Sequence, residues 1–231
     1  PKEMGKVSTL LLLLSFGLGN LFKFSFFSPD IKVTLLDLTL FVLTILSFSK
    51  ILASESPLKK SVLLFVLIAL ISLIVSGAHY GSVAQIVGFL YLARWLAYSL
   101  AFTFLPASRR LLLALGLITV FTGLFQYVYF PDVRHLETAE WDPHYYRLVG
   151  TFLDPGFTGL ILVFTIIILT IKPITNVIFN TLLWSATYLA LSFTYSRSSY
   201  LAFLISIGYI SWRRKSPLFL VLIILLFSLT V

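Results

Sequence analysis

The sequence predicts an all-α bundle of about nine membrane-spanning helices with its N-terminus on the cytoplasmic side. Three observations carry this expectation. Of the 231 residues, 59% are hydrophobic and only 11% charged, against about a quarter charged in ordinary soluble domains. Apolar runs of roughly 18 residues or more recur along the chain, enough to cross the ~30 Å hydrocarbon layer as helices. The runs are continuous rather than alternating, which selects helices over barrel strands. In lipid only those two forms satisfy every backbone polar group.

In order, the expected spans are 7–24, 31–49, 61–77, 83–105, 111–130, 155–171, 175–194, 198–212 and 217–231. The first has the basic start and apolar centre of a signal peptide. No small-x-small cleavage pattern follows it and more spans do, so it reads as an uncleaved helix. Residues 174–207 contain neither Gly nor Pro, so 174–212 could be drawn as one helix. That helix would set Lys172 and the Arg213, Arg214, Lys215 cluster on opposite faces. A tight polar turn at Thr194–Ser199 sets both inside and is preferred. The whole chain, 1–231, reads as one transmembrane domain. It opens with Pro1 and stops inside an apolar run at Val231, as a fragment lacking a later external loop and final spans would.

With the N-terminus inside, the inner segments hold eleven basic residues: Lys2, Lys6, Lys50, Lys59, Lys60, Arg109, Arg110, Lys172, Arg213, Arg214 and Lys215. The outer segments hold five: Lys23, Lys32, Arg134, Arg147 and Arg197. This is a positive-inside bias, and it accounts for the net charge of +8 without a nucleic-acid partner. The absence of cysteine excludes disulfides, Cys-type zinc sites and thiol nucleophiles. Nothing in the chain points to a metal, a nucleotide or a redox cofactor.

Several polar positions stand out against this background. Thr181, Ser185, Tyr188, Ser192, Tyr195 and Ser199 recur at intervals of three and four. They form either a packing stripe or the wall of a cavity opening outward beside Arg197. Asp154 followed by Pro155 is a helix start: a capping carboxylate, then a proline whose missing N–H costs nothing there. With Arg147 nearby, that N-terminus is either an ordinary cap beside an interfacial arginine or an anion site suited to phosphate. Arg94 lies within a span, where a charge needs a partner or a cavity. Asp37, the one carboxylate expected inside a span, is its natural partner. Contact with substrate and snorkelling to the interface are the other readings of Arg94. His135 and His144 read as solvated loop histidines.

Two outer-face arginines at span junctions, Arg147 and Arg197, call for a common anion. An arginine before Gly150-Thr151-Phe152, a proline opening a span, and a Ser196-Arg197 pair about fifty residues on resemble the O-antigen ligase and polymerase superfamily. These are bacterial inner-membrane glycosyltransferases of the GT-C type. The resemblance covers residues 147–212, with Asp154-Pro155-Gly156 where the family often has asparagine near the proline. It implies a multi-pass enzyme of cell-envelope polysaccharide biosynthesis. Such an enzyme moves glycan from an undecaprenyl-diphosphate carrier to a glycan or lipid-core acceptor, without a metal or cofactor. It implies that Arg147 and Arg197 hold the donor diphosphate, and it sets the catalytic base in an external loop beyond Val231. The alternatives are a transporter or flippase of a lipid-linked or small anionic substrate, and a scaffold subunit without chemistry of its own.

Overall fold

The computed structural model describes residues 2–25, 32–46, 57–104, 108–134 and 144–216, and positions 221, 223, 224 and 228. Within these residues, the side chains of 2–6, 25, 57–59, 77–84 and 101–104 are not described. His135 and nearly all of the ninth expected span, 217–231, lie outside the described residues. The fold is all-α in character, with seven α-helices, one 3-10 turn and a two-stranded ribbon among the described residues. The chain divides into two compact units, one of residues 1–16 and 22–107 and one of residues 17–21 and 108–231.

In the first unit, α1 (Lys2–Leu18) is followed by β1 (Lys23–Ser25), which pairs antiparallel with β2 (Lys32–Thr34). The expected first span ran to residue 24. The helix stops earlier because Gly19 turns left-handed, φ 52°, a conformation glycine adopts without steric cost. The ribbon likewise delays the second helix, α2 (Leu35–Leu46). Asp37 therefore lies in the first turn of α2 and not inside a span. It closes a capping box with Thr34: Asp37 N donates to Thr34 Oγ1 at 3.1 Å and Thr34 N donates to Asp37 Oδ2 at 2.7 Å. This reciprocal pairing satisfies two backbone donors at the helix start. Leu36, Leu40 and Leu43 form the buried stripe of α2, at the three-to-four spacing of one helix face.

Helix α3 carries helical backbone from Pro57 to Phe104, 48 residues. Drawn straight it would be about 72 Å long. Yet the Phe65 and Trp95 rings lie 4.5 Å apart, and Gln85 Nε2 donates to Leu73 O at 3.3 Å. A Cβ on Gly88 would meet Leu73 Cδ2 at 2.6 Å. In a straight helix Phe65 and Trp95 would be about 45 Å apart. The chain therefore reverses between Leu73 and Gln85, and its two halves lie side by side as an antiparallel pair. Those halves match the expected spans 61–77 and 83–105.

The second unit packs four helices: α4 (Arg109–Tyr129), α5 (Pro155–Ile171), α6 (Val177–Ser192) and α7 (Arg197–Arg213). Their bounds follow the expected spans within a few residues, and α6 and α7 are separate helices, as the hairpin reading required. Helix α5 touches α4, α6 and α7 and buries two stripes, one through Thr158, Leu162, Thr165 and Leu169, the other through Gly159, Val163 and Ile166. Phe203, Ile207 and Ile210 of α7 and Ala190 and Leu191 of α6 complete the core. The buried threonines of these helices mostly donate to the carbonyl four residues back, as Thr119, Thr165 and Thr187 do, so they add no unpaired donor.

One helix among the described residues, Arg109–Tyr129, is long and apolar enough to cross a membrane, with a mean hydropathy of 2.0. The other apolar helices there have 10–17 residues, so nine helices of spanning length are not present among the described residues. Large apolar side chains nonetheless project from the surface: Phe121, Phe164, Val177, Ile178 and Trp212 are all at least 65% exposed.

The reversal in α3 has a direct test. The chain has no cysteine, so Phe65→Cys with Trp95→Cys introduces a single pair. Oxidation should link the two positions within one chain and shift its mobility on a gel. A straight 48-residue helix would give no intramolecular link.

Candidate functional site

Helices α5 and α7 start side by side. Asp154 caps α5, its Oδ1 accepting from Phe157 N at 2.8 Å. Ser196 caps α7, its Oγ accepting from Ser199 N at 3.4 Å. Ser199 Oγ bonds Ser196 Oγ at 2.9 Å and lies 3.1 Å from the Gly156 carbonyl, to which it donates. This ties one N-terminus to the other. A Cβ on Gly159 would stand 2.3 Å from Ser199 Oγ, so the close approach of the helices requires glycine there.

Both N-termini open on a cleft of about 540 Å3 lined by His144, Arg147, Leu153, Asp154, Pro155, Tyr195, Ser196, Arg197 and Ser198. Arg147 and Arg197, assigned from sequence to one anion, thus line one cleft. Both are exposed, and neither guanidinium makes an ion pair or hydrogen bond with another described residue. Two uncommitted guanidinium groups and two helix N-termini, each carrying a partial positive charge, make this cleft a place for an anion.

Arg147 arrives from a separate segment, and its position is built by the backbone. Beyond α4 the chain returns on itself: Val133 N donates to His144 O at 3.2 Å and Tyr146 N to Pro131 O at 3.0 Å. Leu148 N then donates to Phe193 O at 2.9 Å, fixing the returning segment to the end of α6. The buried side chain of Gln126 completes the attachment. Its Oε1 accepts from Val149 N at 3.0 Å and Gly150 N at 3.3 Å, and its Nε2 donates to Phe130 O at 2.9 Å and Arg147 O at 3.4 Å. From the far side, Asn20 N donates to Thr151 O at 2.8 Å and Asn20 Nδ2 to Phe152 O at 2.6 Å. These bonds hold the 3-10 turn Gly150–Phe152.

The cleft is also where the backbone is strained. Tyr146, Leu153 and Tyr195 have φ of 49°, 57° and 50°, left-handed values that are uncommon outside glycine. Each directly precedes a cleft residue: Arg147, Asp154 and Ser196. Such conformations cost about 1–3 kcal/mol apiece and persist only where surrounding bonds impose them.

Sequence reasoning did not single out Gln126 or Asn20, and it left His144 in the solvent. The pairing of the 144–146 segment with 131–133 brings this half-buried loop histidine onto the cleft wall. The signal for Gln126 was present as a lone amide near the end of an apolar helix. The third outer arginine, Arg134, is engaged elsewhere. It donates to both carboxylate oxygens of Asp132, at 2.9 and 2.7 Å, and that bonded carboxylate pushes its pKa further up. Of the hydroxyl stripe, Tyr188, Ser192 and Ser199 are buried while Thr181 and Ser185 are exposed. Only Tyr195 reaches the cleft, so the stripe is mainly packing.

Arg94 and Asp37 form the ion pair expected of them, 2.5 Å apart in the first unit. Tyr98 Oη donates to Asp37 Oδ1 at 2.9 Å, and Arg94 Nη2 also donates to Lys32 O at 2.7 Å.

Gln126→Leu should lower the unfolding free energy by about 2–4 kcal/mol, because two buried N–H groups lose their acceptor. Phe121→Leu, on the exposed face of the same helix, should stay within about 0.5 kcal/mol of wild type. Thermal or denaturant unfolding of the purified protein measures both. Equal stability of the two variants would mean that the amide does not hold the segment.

No family model, curated protein or solved structure matches the chain, so the function of the cleft is argued from its own geometry.

Proposed function

We propose that the cleft is the donor-diphosphate site of a membrane glycosyltransferase of the O-antigen ligase and polymerase type. The observation that carries this reading is the meeting of Arg147 and Arg197, their guanidinium groups without a hydrogen-bond partner among the described residues, at two helix N-termini. A diphosphate has the charge and the several acceptor oxygens that such a place demands, and guanidinium can bind it in bidentate fashion. In transfer, the glycosidic bond to the diphosphate breaks and its electron pair stays on the leaving oxygen. Arg147 and Arg197 neutralise that growing charge, the electrostatic share of catalysis. The acceptor hydroxyl oxygen bonds the anomeric carbon and gives up its proton. The cleft wall itself carries two side chains able to take the proton, His144 and Asp154.

The proposal includes a bilayer with the cleft at its outer, periplasmic face, and the nine-span arrangement with it. The exposed apolar side chains support it, since lipid is the solvent they fit. So does the distribution of charge. At the end of the second unit away from the cleft, Arg109 Nη2 donates to Lys172 O, and Arg214 Nη2 to Thr170 O at 2.8 Å. Basic residues assigned to the inside thus cap the last carbonyls of α5, which helix geometry leaves unpaired. The cleft arginines stand at its other end. The 17 residues of α5 span about 26 Å, close to the thickness of the hydrocarbon layer.

Single cysteines test the orientation. In spheroplasts an impermeant maleimide should label Tyr145→Cys and Ser198→Cys but not Pro173→Cys. Labelling of Pro173→Cys with neither of the others would invert the topology and remove the outer-face site.

Binding tests the cleft. The protein in nanodiscs should bind a polyprenyl-diphosphate-linked glycan, and Arg197→Lys and Arg147→Lys should each weaken it about tenfold or more. An ammonium cannot replace the planar fork of donors, and a hydrogen bond to a charged group contributes about 1.5–3 kcal/mol. Unchanged affinity in both variants would sink the diphosphate assignment.

A further inference from the structure

The anion cleft holds more than a diphosphate needs. Its volume of about 540 Å3 falls within the roughly 300–1,000 Å3 of sites for drug-sized ligands. Beyond the arginines, its wall carries hydroxyl groups, a carboxylate and the phenol ring of Tyr195. Asp154 uses Oδ1 for its helix cap, and its Oδ2 makes no hydrogen bond with another described residue. Ser198 is exposed, its Oγ 3.1 Å from Ser196 Oγ. Acceptors and donors of this kind suit a ligand with hydroxyls of its own.

Tyr195 is held where a tyrosine is unfavourable. Its φ of 50° is left-handed, a conformation that glycine or asparagine adopts more readily. If the turn alone mattered, either would suit it better. The residue is nonetheless half exposed, and its ring is fixed in place. Its phenol lies against that of Tyr127, and the Tyr127 ring stacks on Phe193, centroids 4.4 Å apart and planes within 6°. An aromatic anchor of the membrane interface needs no such clamp. A clamped, half-exposed ring on the wall of an anion site is a surface for the flat face of a ligand.

A pyranose offers that face and the hydroxyls together. Its C–H bonds, polarised by the neighbouring oxygens, present positive hydrogens to the negative face of an aromatic ring. Its hydroxyls extend sideways, toward groups such as the carboxylate and the serine. A polyprenyl chain would match the ring but leave the polar wall without partners.

We propose that the first sugar of the donor, a pyranose, stacks on Tyr195 while Asp154 Oδ2 and Ser198 Oγ bind its hydroxyls. This rests on the donor-diphosphate reading of the cleft and adds a specificity determinant to it: the carrier bearing a sugar is preferred over the bare carrier.

The test compares two probes on the full chain in nanodiscs. One is undecaprenyl diphosphate, and the other is the same carrier bearing N-acetylglucosamine, whose ring has axial C–H bonds on both faces. Wild type should bind the sugar-bearing carrier at least about fivefold more tightly, the worth of one aromatic contact. Tyr195→Asn and Tyr195→Gly both suit this φ. They should bind the two probes within about twofold of each other and hold the bare carrier as wild type does. Tyr195→Phe keeps the ring and should keep most of the preference. Equal affinity of wild type for the two probes would overturn the platform and leave the diphosphate reading standing. Undiminished preference in Tyr195→Asn or Tyr195→Gly would overturn it too, as would weaker binding of the bare carrier by both, which would make the residue structural. Preference lost in Tyr195→Phe would assign it to the hydroxyl and not the ring. Wild type that binds neither probe removes the diphosphate reading, and the platform with it.

Discussion

The arrangement of the second unit depends on one amide. Gln126 is the point at which a returning loop is joined to a helix, and each half of its side chain faces a backbone group of opposite character. Its oxygen takes the N–H groups of Val149 and Gly150, and its nitrogen serves the carbonyls of Phe130 and Arg147. No other uncharged side chain of similar size combines two donors with an acceptor in this way, asparagine being one methylene shorter. Buried among apolar helices, these bonds are expensive to break, because the freed groups have no water to turn to. Arg147 therefore owes its place to a residue that never touches the cleft.

From that attachment the strain and the electrostatics follow together. The segment is held at Gln126, at Phe193 and at Asn20, and between these points the backbone passes through left-handed residues immediately before the cleft side chains. Helix starts at Asp154 and Ser196 face the same space because Ser199 binds the Gly156 carbonyl across the gap that Gly159 leaves. Positive potential accumulates there from two helix ends and two arginines. At the opposite end of the same helices, arginines meet carbonyls instead. Arg109 and Arg214 thus answer to carbonyls and Arg134 to a carboxylate, while Arg147 and Arg197 line the cleft.

The first unit solves a different problem. A carboxylate and a guanidinium set among apolar helices are tolerable only when paired and hydrogen-bonded. Asp37 meets that condition by doubling as the far member of a capping box, so one side chain starts a helix, anchors Arg94 and receives Tyr98.

Much of this was legible before any coordinates. The length and continuity of the apolar runs determine helices, since period and composition are local properties. Asp154-Pro155 marks its helix start because capping is decided within four residues. The break at Thr194–Ser199 emerges from charge bookkeeping, and the Arg94–Asp37 pair from the cost of isolated charge in an apolar run. The tertiary structure decided what depends on long-range backbone geometry. Gly19 and the ribbon of β1 and β2 shorten the first helix and delay the second, because strand pairing joins residues that sequence pattern treats separately. The return of residues 144–150 past the end of α4 brings His144 and Arg147 to the cleft through bonds between residues well separated in sequence, and no local signal encodes such a register. That two arginines fifty residues apart should share a cleft could be inferred from their chemistry. That Gln126, Asn20 and Gly159 are what make it possible is a matter of distances, which only the folded chain contains.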